Sequence, residues 1–350
     1  MASPLSLQQA GISVLICTYN GANRVTATLQ HLATQRLSAT IPWEVLLVDN
    51  NSTDNTLVVG ATCWQNCGTP APLRLLSQPI AGKSHALELG FLQAQYQYVC
   101  IVDDDNWLST NYLNLAWELM EAHPEVAAVG GVGRPVCEVK PPVWFADFAV
   151  DYAAGRQANA SGDITAAPGY LYGAGSFIRW AAWRRIHQAG FKSLLTGRNG
   201  SKLSSGEDNE MCYAFALAGY RIWYDERLTF EHFIPTSRLS WNYVRRLYQG
   251  NATTEVELRP YRHFFSLSNT IPSLIWLRNG SYSARYALRW TTQALRQGRL
   301  RIKEGDIVAL RAAYYWRVTI LYIHNEWEKS PKFRQVQEFI ARLQQTSTNQ

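Results

Sequence analysis

The chain has 350 residues, is 47% hydrophobic and 17% charged, and carries 33 Lys+Arg against 27 Asp+Glu. That apolar content allows a large buried core and excludes a disordered or low-complexity protein. The net charge of +6 is uneven, with a slight acidic excess over residues 1–237 and a strong basic excess over 238–350.

Ile12 to Cys17 is a short apolar, β-prone run that stops at the turn-forming Thr18-Tyr19-Asn20-Gly21. Val25, Leu29, Leu32 and Ala33 then recur at helical spacing. Glu44 to Val48 predicts a buried strand ending at Asp49-Asn50-Asn51-Ser52-Thr53-Asp54, a cluster suited to a turn and a helix cap. Lys83 to Gln95 predicts a helix, and Tyr98 to Val102 a third strand halted by Asp103-Asp104-Asp105-Asn106. Leu113, Ala116, Trp117 and Met120 mark another helix, and Val126 to Val132 a strand leading into a Pro- and Gly-containing stretch from Gly133 to Gly169. Ser176 to Ile178 predicts a strand before a Trp/Arg-rich helix, and Gly190 to Ser205 a polar loop. Glu207-Asp208 opens a helix with Met211, Ala214, Phe215 and Ala218 on one side. Beyond Pro235 the periodicity is helical, as in Phe333, Val336, Ile340 and Leu343.

Met1 to Gly11 has no basic residue and no apolar run, so no secretory leader is expected, and no stretch of about 18 apolar residues predicts a membrane span. The six scattered cysteines are expected as reduced thiols of a cytoplasmic protein, and the lone Cys63/Cys67 pair is weak ground for zinc. Trp241, Trp276, Trp290, Trp316 and Trp327 lie in the basic third. That mixture suits an anionic surface over an apolar layer, or equally a solvated basic face over core tryptophans.

Alternating strand and helix signals predict a mostly parallel α/β sheet flanked by helices. In such a sheet ligands bind beyond the carboxyl ends of the strands, where Thr18-Tyr19-Asn20, Asp49 and Asp103 to Asp105 are all expected. Three adjacent carboxylates repel one another unless positive charge sits among them. A hard divalent ion sharing a substrate diphosphate is one partner; a polar loop without an ion is the plainer alternative. If the backbone is extended there, Asp103 and Asp105 point to the same side. Asp208 near a helix N-terminus stays ionised through the end dipole and suits proton abstraction from a hydroxyl, or merely caps the helix. His232, among aromatics, is a structural histidine or a further metal ligand beside the aspartates. Gly82-Lys83-Ser84 lacks the earlier glycine of a phosphate-binding loop, since Gln78 stands there, but Lys83 remains a point charge for a diphosphate.

Taken in order, the segments Ile12 to Asn20, Val48 to Asp54, Gly82 to Leu87, Val102 to Asp105, Tyr172 to Gly175, Ser205 to Asp208 and His232 resemble the family 2 glycosyltransferases. The resemblance spans about residues 10 to 235. It implies a GT-A type Rossmann-like domain over 1–237, with a nucleotide half at about 10–107 and an acceptor half at about 108–237, followed by a mainly helical region over 238–350. It further implies an inverting hexosyl transfer from a nucleoside diphosphate sugar, most often a UDP-sugar, to a hydroxyl acceptor. Thr18, Tyr19, Asn20 and Asp49 would hold the nucleoside, Asp103 and Asp104 the ribose or sugar, and Lys83 the diphosphate. Asp105, with Asp103 and His232, would bind Mg²⁺ or Mn²⁺; Asp208 would be the base and Glu207 its support. Two positions depart from the usual pattern, Asn106 after the metal-binding aspartate and Asn50 in the early acidic pair.

The implied setting is polysaccharide or lipid-linked glycan assembly, by a cytoplasmic protein lying peripherally on a membrane. Phe264 to Leu277 is too short to span a bilayer and is expected to lie on one. The rival functions are a non-catalytic sugar-nucleotide or glycan-binding module and a nucleotidyltransferase. A nucleotidyltransferase would carry a Gly-rich basic loop after the first strand, where this chain has Thr18-Tyr19-Asn20-Gly21-Ala22, and no nucleic-acid-binding motif accompanies the basic tail.

Overall fold

The computed structural model describes residues 8–195, 206–265, 272–298, 302–324 and 331–348. Strand β1 (Gln9–Thr18) forms the centre of a parallel unit with β2 (Trp43–Asp49), β3 (Leu73–Ser77) and β4 (Tyr96–Asp103). Its side chains alternate between two apolar layers. Leu15 joins one, and Ile12, Val14 and Ile16 join the other, as the two-residue period of a strand requires. Helices α1 (Val25–Ala33), α2 (Thr56–Asn66) and α4 (Tyr112–Ala122) cover the second face; α3 (Lys83–Gln93), α5 (Trp180–Gln188) and α6 (Glu207–Leu217) cover the first.

Strands β5 (Asn106–Leu108), β6 (Val126–Cys137), β7 (Gly162–Asp163), β8 (Phe177–Arg179) and β9 (Arg221–Ile234) complete a nine-stranded sheet among the described residues. Its order is β3-β2-β1-β4-β8-β6-β9-β5, with β7 on β9. The short β8 runs antiparallel between β4 and β6, whereas β6 and β9 are parallel. Between Gly133 and Gly169 the chain forms a 3₁₀ segment, Val143–Tyr152, whose aromatics build a smaller core with Ile234 and Leu310. All six cysteines are free.

After β9 the structure is helical: α7 (Trp241–Glu257), α8 (Arg259–Phe265), α9 (Pro272–Arg296), α10 (Ile307–His324) and α11 (Pro331–Thr348). α11 turns back, and Val336, Phe339 and Leu343 enter the same core as Phe91 and Trp183. No described helix is long and apolar enough to cross a membrane. Within the apolar segment from Phe264 to Leu277, residues 266–271 lie outside the described residues, as do Ser204, Ser205, Trp327 and most of the Gly190–Ser205 loop.

Three expectations need correction. β3 was not anticipated, and neither was β9 as a 14-residue strand. The chain is also not extended through the aspartates, because it turns at Asp104-Asp105 between β4 and β5. The simple alternation rule therefore does not govern where Asp103 and Asp105 point.

Two registers position the site. Thr18 pairs with Asp49 and Cys17 with Asp103, so β1, β2 and β4 end on a single edge. On the other side, Asn106 of β5 lies opposite His232 of β9, which carries a histidine 127 residues downstream to the aspartate turn. The β6–β9 pairing shifts register between Gly130 and Val132, and a Cβ on Gly131 would sit 1.7 Å from the Leu228 carbonyl oxygen. Only a hydrogen fits there. Gly131→Ala is expected to cost about 3 kcal/mol by forcing β9 away. Urea unfolding of the variant and the parent would measure the loss.

Candidate active site

The three aspartates at the end of β4 do not share a partner; each has its own cation. Lys83, the first residue of α3, ion-pairs with Asp103. Arg24, just ahead of α1, forks onto Asp104 through Nε (3.1 Å) and Nη2 (2.9 Å), and Thr18 Oγ1 donates to the same carboxylate at 2.6 Å. Arg238, in the 3₁₀ turn after β9, donates to Asp105 Oδ2 at 3.1 Å. Burial still raises the Asp104 pKa, against the pull of Arg24. Burial lowers that of Lys83, but the adjacent Asp103 outweighs it and leaves the ammonium above its ordinary range.

Gly21 makes the approach of β1 to Asp104 possible. A Cβ there would meet Thr18 Oγ1 at 2.1 Å and Asp104 Oδ2 at 2.4 Å. Asn20, in the left-handed region (φ 47°), receives Thr53 N on Oδ1 at 2.8 Å and gives its own N–H to Ser52 Oγ at 2.8 Å. It thereby ties the loop after β1 to the loop after β2.

His232 is set by the protein to accept on one nitrogen. Its Nδ1 lies 2.6 Å from the Tyr152 carbonyl oxygen, which can only accept, so the Nδ1 proton is donated there. In the neutral ring Nε2 is then the acceptor, 3.7 Å from Asp105 Oδ1 and 3.4 Å from the Arg238 donor. A carboxylate beside an oriented imidazole fits two positions of a divalent cation's shell, and the carbonyl behind the ring is the usual support for such a ligand. Among the described residues no group of three or more His, Cys, Asp or Glu side chains gathers as a cage. Such an ion would therefore complete its shell with water and phosphate oxygens.

Across the cleft, Asp208 stands in the first turn of α6. Its Oδ2 accepts the Gly173 N–H at 2.7 Å, and Oδ1 accepts the N–H of Asn209 at 2.9 Å. Gly173 approaches so closely that a Cβ would lie 3.2 Å from Asp208 Oδ2. Burial raises the Asp208 pKa, opposed by Lys83 and the two amides. Burial raises Glu207 as well, and Glu207 Oε1 is buried without a hydrogen-bond partner. Tyr172 OH is likewise buried and unpartnered, so two polar groups on the wall of one cleft lack partners within the protein.

The cleft encloses about 730 Å³ and gathers Thr18, Tyr19, Lys83, all three aspartates, Glu207, Asp208 and His232. Tyr19 stands at the rim, 57% exposed. Asp49 and Asn20 are not on its wall. Asp49 closes its own turn by accepting Ser52 N at 3.3 Å, and Asn50 lines the cleft in its place, with Oδ1 receiving Gly82 N at 2.8 Å. Sequence reasoning missed Arg24 and Arg238, whose partners lie 80 and 133 residues away. It also missed the far wall, where Asn251 and Glu255 of α7, Arg262 of α8 and Tyr314 of α10 stand. No local signal marks these residues. Asp151, on the same wall, accepts from Tyr248 OH (3.2 Å) and Asn251 Nδ2 (3.1 Å).

The sequence profile of glycosyl transferase family 2 matches residues 13–166, and that of glycosyl transferase family group 2 matches residues 98–324. No curated protein sequence matches the chain. Among solved structures, TarS from S. aureus is similar with a TM-score of 0.50 at 16% identity, over 89% of this chain. The chain spans 55% of the length of that protein. The S. aureus TarS 1–349 fragment in complex with UDP-GlcNAc is similar with a TM-score of 0.52 at 14% identity, over 97% of this chain and 92% of the fragment.

One buried carboxyl supports the site from behind. Glu210, one turn past Glu207 on α6, accepts Leu194 N at 2.8 Å and Ser193 Oγ at 2.6 Å. Burial lifts its pKa from 4.5 to about 7 despite these bonds. The folded chain holds this proton more tightly than the unfolded chain, so the associated stability is complete below about 4.5 and is lost as pH rises through about 7. Glu210→Gln removes the titration. Its stability relative to the parent is expected to climb between those two pH values, as denaturant midpoints across that range would measure.

Proposed function

The chain belongs to glycosyl transferase family 2, with a GT-A type fold, and from that membership and its cleft we propose an inverting, metal-dependent hexosyltransferase. In this reading it moves a sugar from a nucleoside diphosphate to a hydroxyl of a glycan or lipid-linked acceptor, in the cytoplasm, during polysaccharide assembly. The observation that carries it is the placement of Asp208, oriented by the Gly173 amide, in the same cleft as the Asp105–His232 pair. The UDP-GlcNAc held by the similarly folded TarS fragment supports a nucleotide-sugar donor, with UDP the first base to test.

Each residue has a task in this reaction. Thr18, Tyr19 and Asn50 line the end of the cleft that takes the nucleoside, with Asn20 and Asp49 holding their loops in shape. Lys83 serves both Asp103 and the incoming diphosphate as a point charge. Asp105 and His232 would hold Mg²⁺ or Mn²⁺, which when bound offsets the charge growing on the departing diphosphate. The acceptor hydroxyl lies against Asp208. Its oxygen bonds to the anomeric carbon as the bond from that carbon to the diphosphate oxygen breaks, and its proton passes to the carboxylate. Attack on the face opposite the leaving group inverts the centre. Tyr172 OH and Glu207 Oε1, unpartnered in the protein, supply hydrogen bonds to sugar hydroxyls.

The first test reads nucleoside diphosphate release from UDP-, GDP- and dTDP-sugars with and without Mn²⁺. Release from one donor that EDTA abolishes is expected; no binding of any nucleotide sugar would remove the proposal. Asp208→Asn is expected to lower kcat by about 10²–10⁴-fold while leaving donor affinity intact. Because burial raises the Asp208 pKa, parent activity should fall as pH drops through that raised value, and the variant should lose that limb. For the ion, Asp105→Asn and His232→Ala are each expected to weaken Mn²⁺ binding by about tenfold or more, read by electron paramagnetic resonance without donor.

A further inference from the structure

Helices α9 and α10 pack side by side. Trp316 Nε1 donates to Thr291 Oγ1 at 3.0 Å, the Arg311 guanidinium lies 4.9 Å from the Trp290 ring centre, and the Tyr286 and Tyr315 rings are 5.2 Å apart. Their outward sides carry two apolar rows. On α9, Leu288 and Leu295 are 54% and 55% exposed, either side of Thr291. On α10, Trp316, Ile320 and Ile323 follow at i, i+4 and i+7, exposed by 39%, 48% and 65%. That spacing ordinarily faces a core. The Thr291–Trp316 bond makes the two rows neighbours, so they form one patch of the kind that marks an interaction surface.

The charge around the patch is of one sign. Arg278, Arg285, Arg289 and Arg296 on α9 and Arg317 on α10, whose Nε also donates to the Gln249 carbonyl at 3.2 Å, are exposed, and neither helix carries an Asp or Glu. No described carboxylate forms an ion pair with any of them. A second copy of the chain docked face to face would set these arginines against the same basic patch, because an isologous contact uses one surface on both copies. An anionic lipid surface fits both features, since apolar side chains enter the interfacial layer and arginines stay with the headgroups.

We infer that the outer face of the α9–α10 pair docks this protein on anionic bilayers. The same α10 places Tyr314 on the wall of the cleft. The surface and the acceptor end of the cleft are therefore opposite sides of one helix, an arrangement that delivers a membrane-held acceptor. That last link rests on the transferase reading; lipid binding does not.

The experiment is flotation of the full-length protein with phosphatidylcholine vesicles and with vesicles that also contain phosphatidylglycerol. Flotation with the anionic vesicles alone, reversed by high salt, is expected. Arg285→Glu with Arg289→Glu should weaken it by more than about tenfold. Leu288→Ser with Ile320→Ser should weaken it too, and donor turnover without vesicles should match the parent for both pairs. Three outcomes would overturn the inference: protein that stays unbound with both vesicles, equal binding to both, or a dimer that the Leu288/Ile320 pair converts to monomer. If lipid binding appears and no nucleotide sugar binds, the transferase reading fails and this one stands.

Discussion

Three carboxylates in a row at the mouth of a buried strand are electrostatically untenable alone, and much of the architecture supplies their compensation. Lys83 comes from the start of α3, Arg24 from the entry to α1, and Arg238 from the turn after β9. Each cation binds one aspartate and, through its own element, fixes one wall of the cleft. The triad is thus neutralised by the protein itself, and all three pairs reach the cleft wall, with Thr18 also donating to the central aspartate. In the proposed reaction a diphosphate would draw Lys83 and a divalent ion would compete for Asp105.

His232 obeys the same constraint from the other side of the sheet. It reaches Asp105 only because β5 pairs with β9 and because the Tyr152 carbonyl, at the end of the 3₁₀ segment, takes the Nδ1 proton. The Tyr152 hydroxyl in turn donates to the Arg238 carbonyl at 2.8 Å, so imidazole and guanidinium share one support. A stretch that reads in sequence as an irregular Pro- and Gly-containing connection is what orients His232 and Arg238 beside Asp105.

The strand ends were readable in the sequence because buried apolar runs such as Ile12 to Cys17 and Tyr98 to Val102 stop abruptly at polar turns. The start of α6 was readable for the same reason. β9 was not, since Asp225-Glu226-Arg227 interrupts its pattern and the arginine folds back on Asp225 at 2.8 Å. On the cleft wall stands Asn50, with Asp49 beside it closing a turn. A strand-end aspartate is equally able to close a turn, and which it does depends on Ser52, not on composition. The arginines could not be paired with their aspartates without the fold. The same holds for Asn251, Glu255 and Tyr314, which depend on α7 and α10 packing over the cleft.

The clamp between the first two loops has a consequence for how such a protein changes over generations. Asn20 grips both Ser52 and Thr53, and Asn50 N in turn donates to the Thr18 carbonyl at 2.8 Å. The loops after β1 and β2 are therefore held as a single unit. A replacement in one that ignores the other leaves amides stranded, so under the proposed nucleotide-binding role a change of base preference would have to arrive as a matched pair of segments. Drift at either loop alone is held in check by its partner.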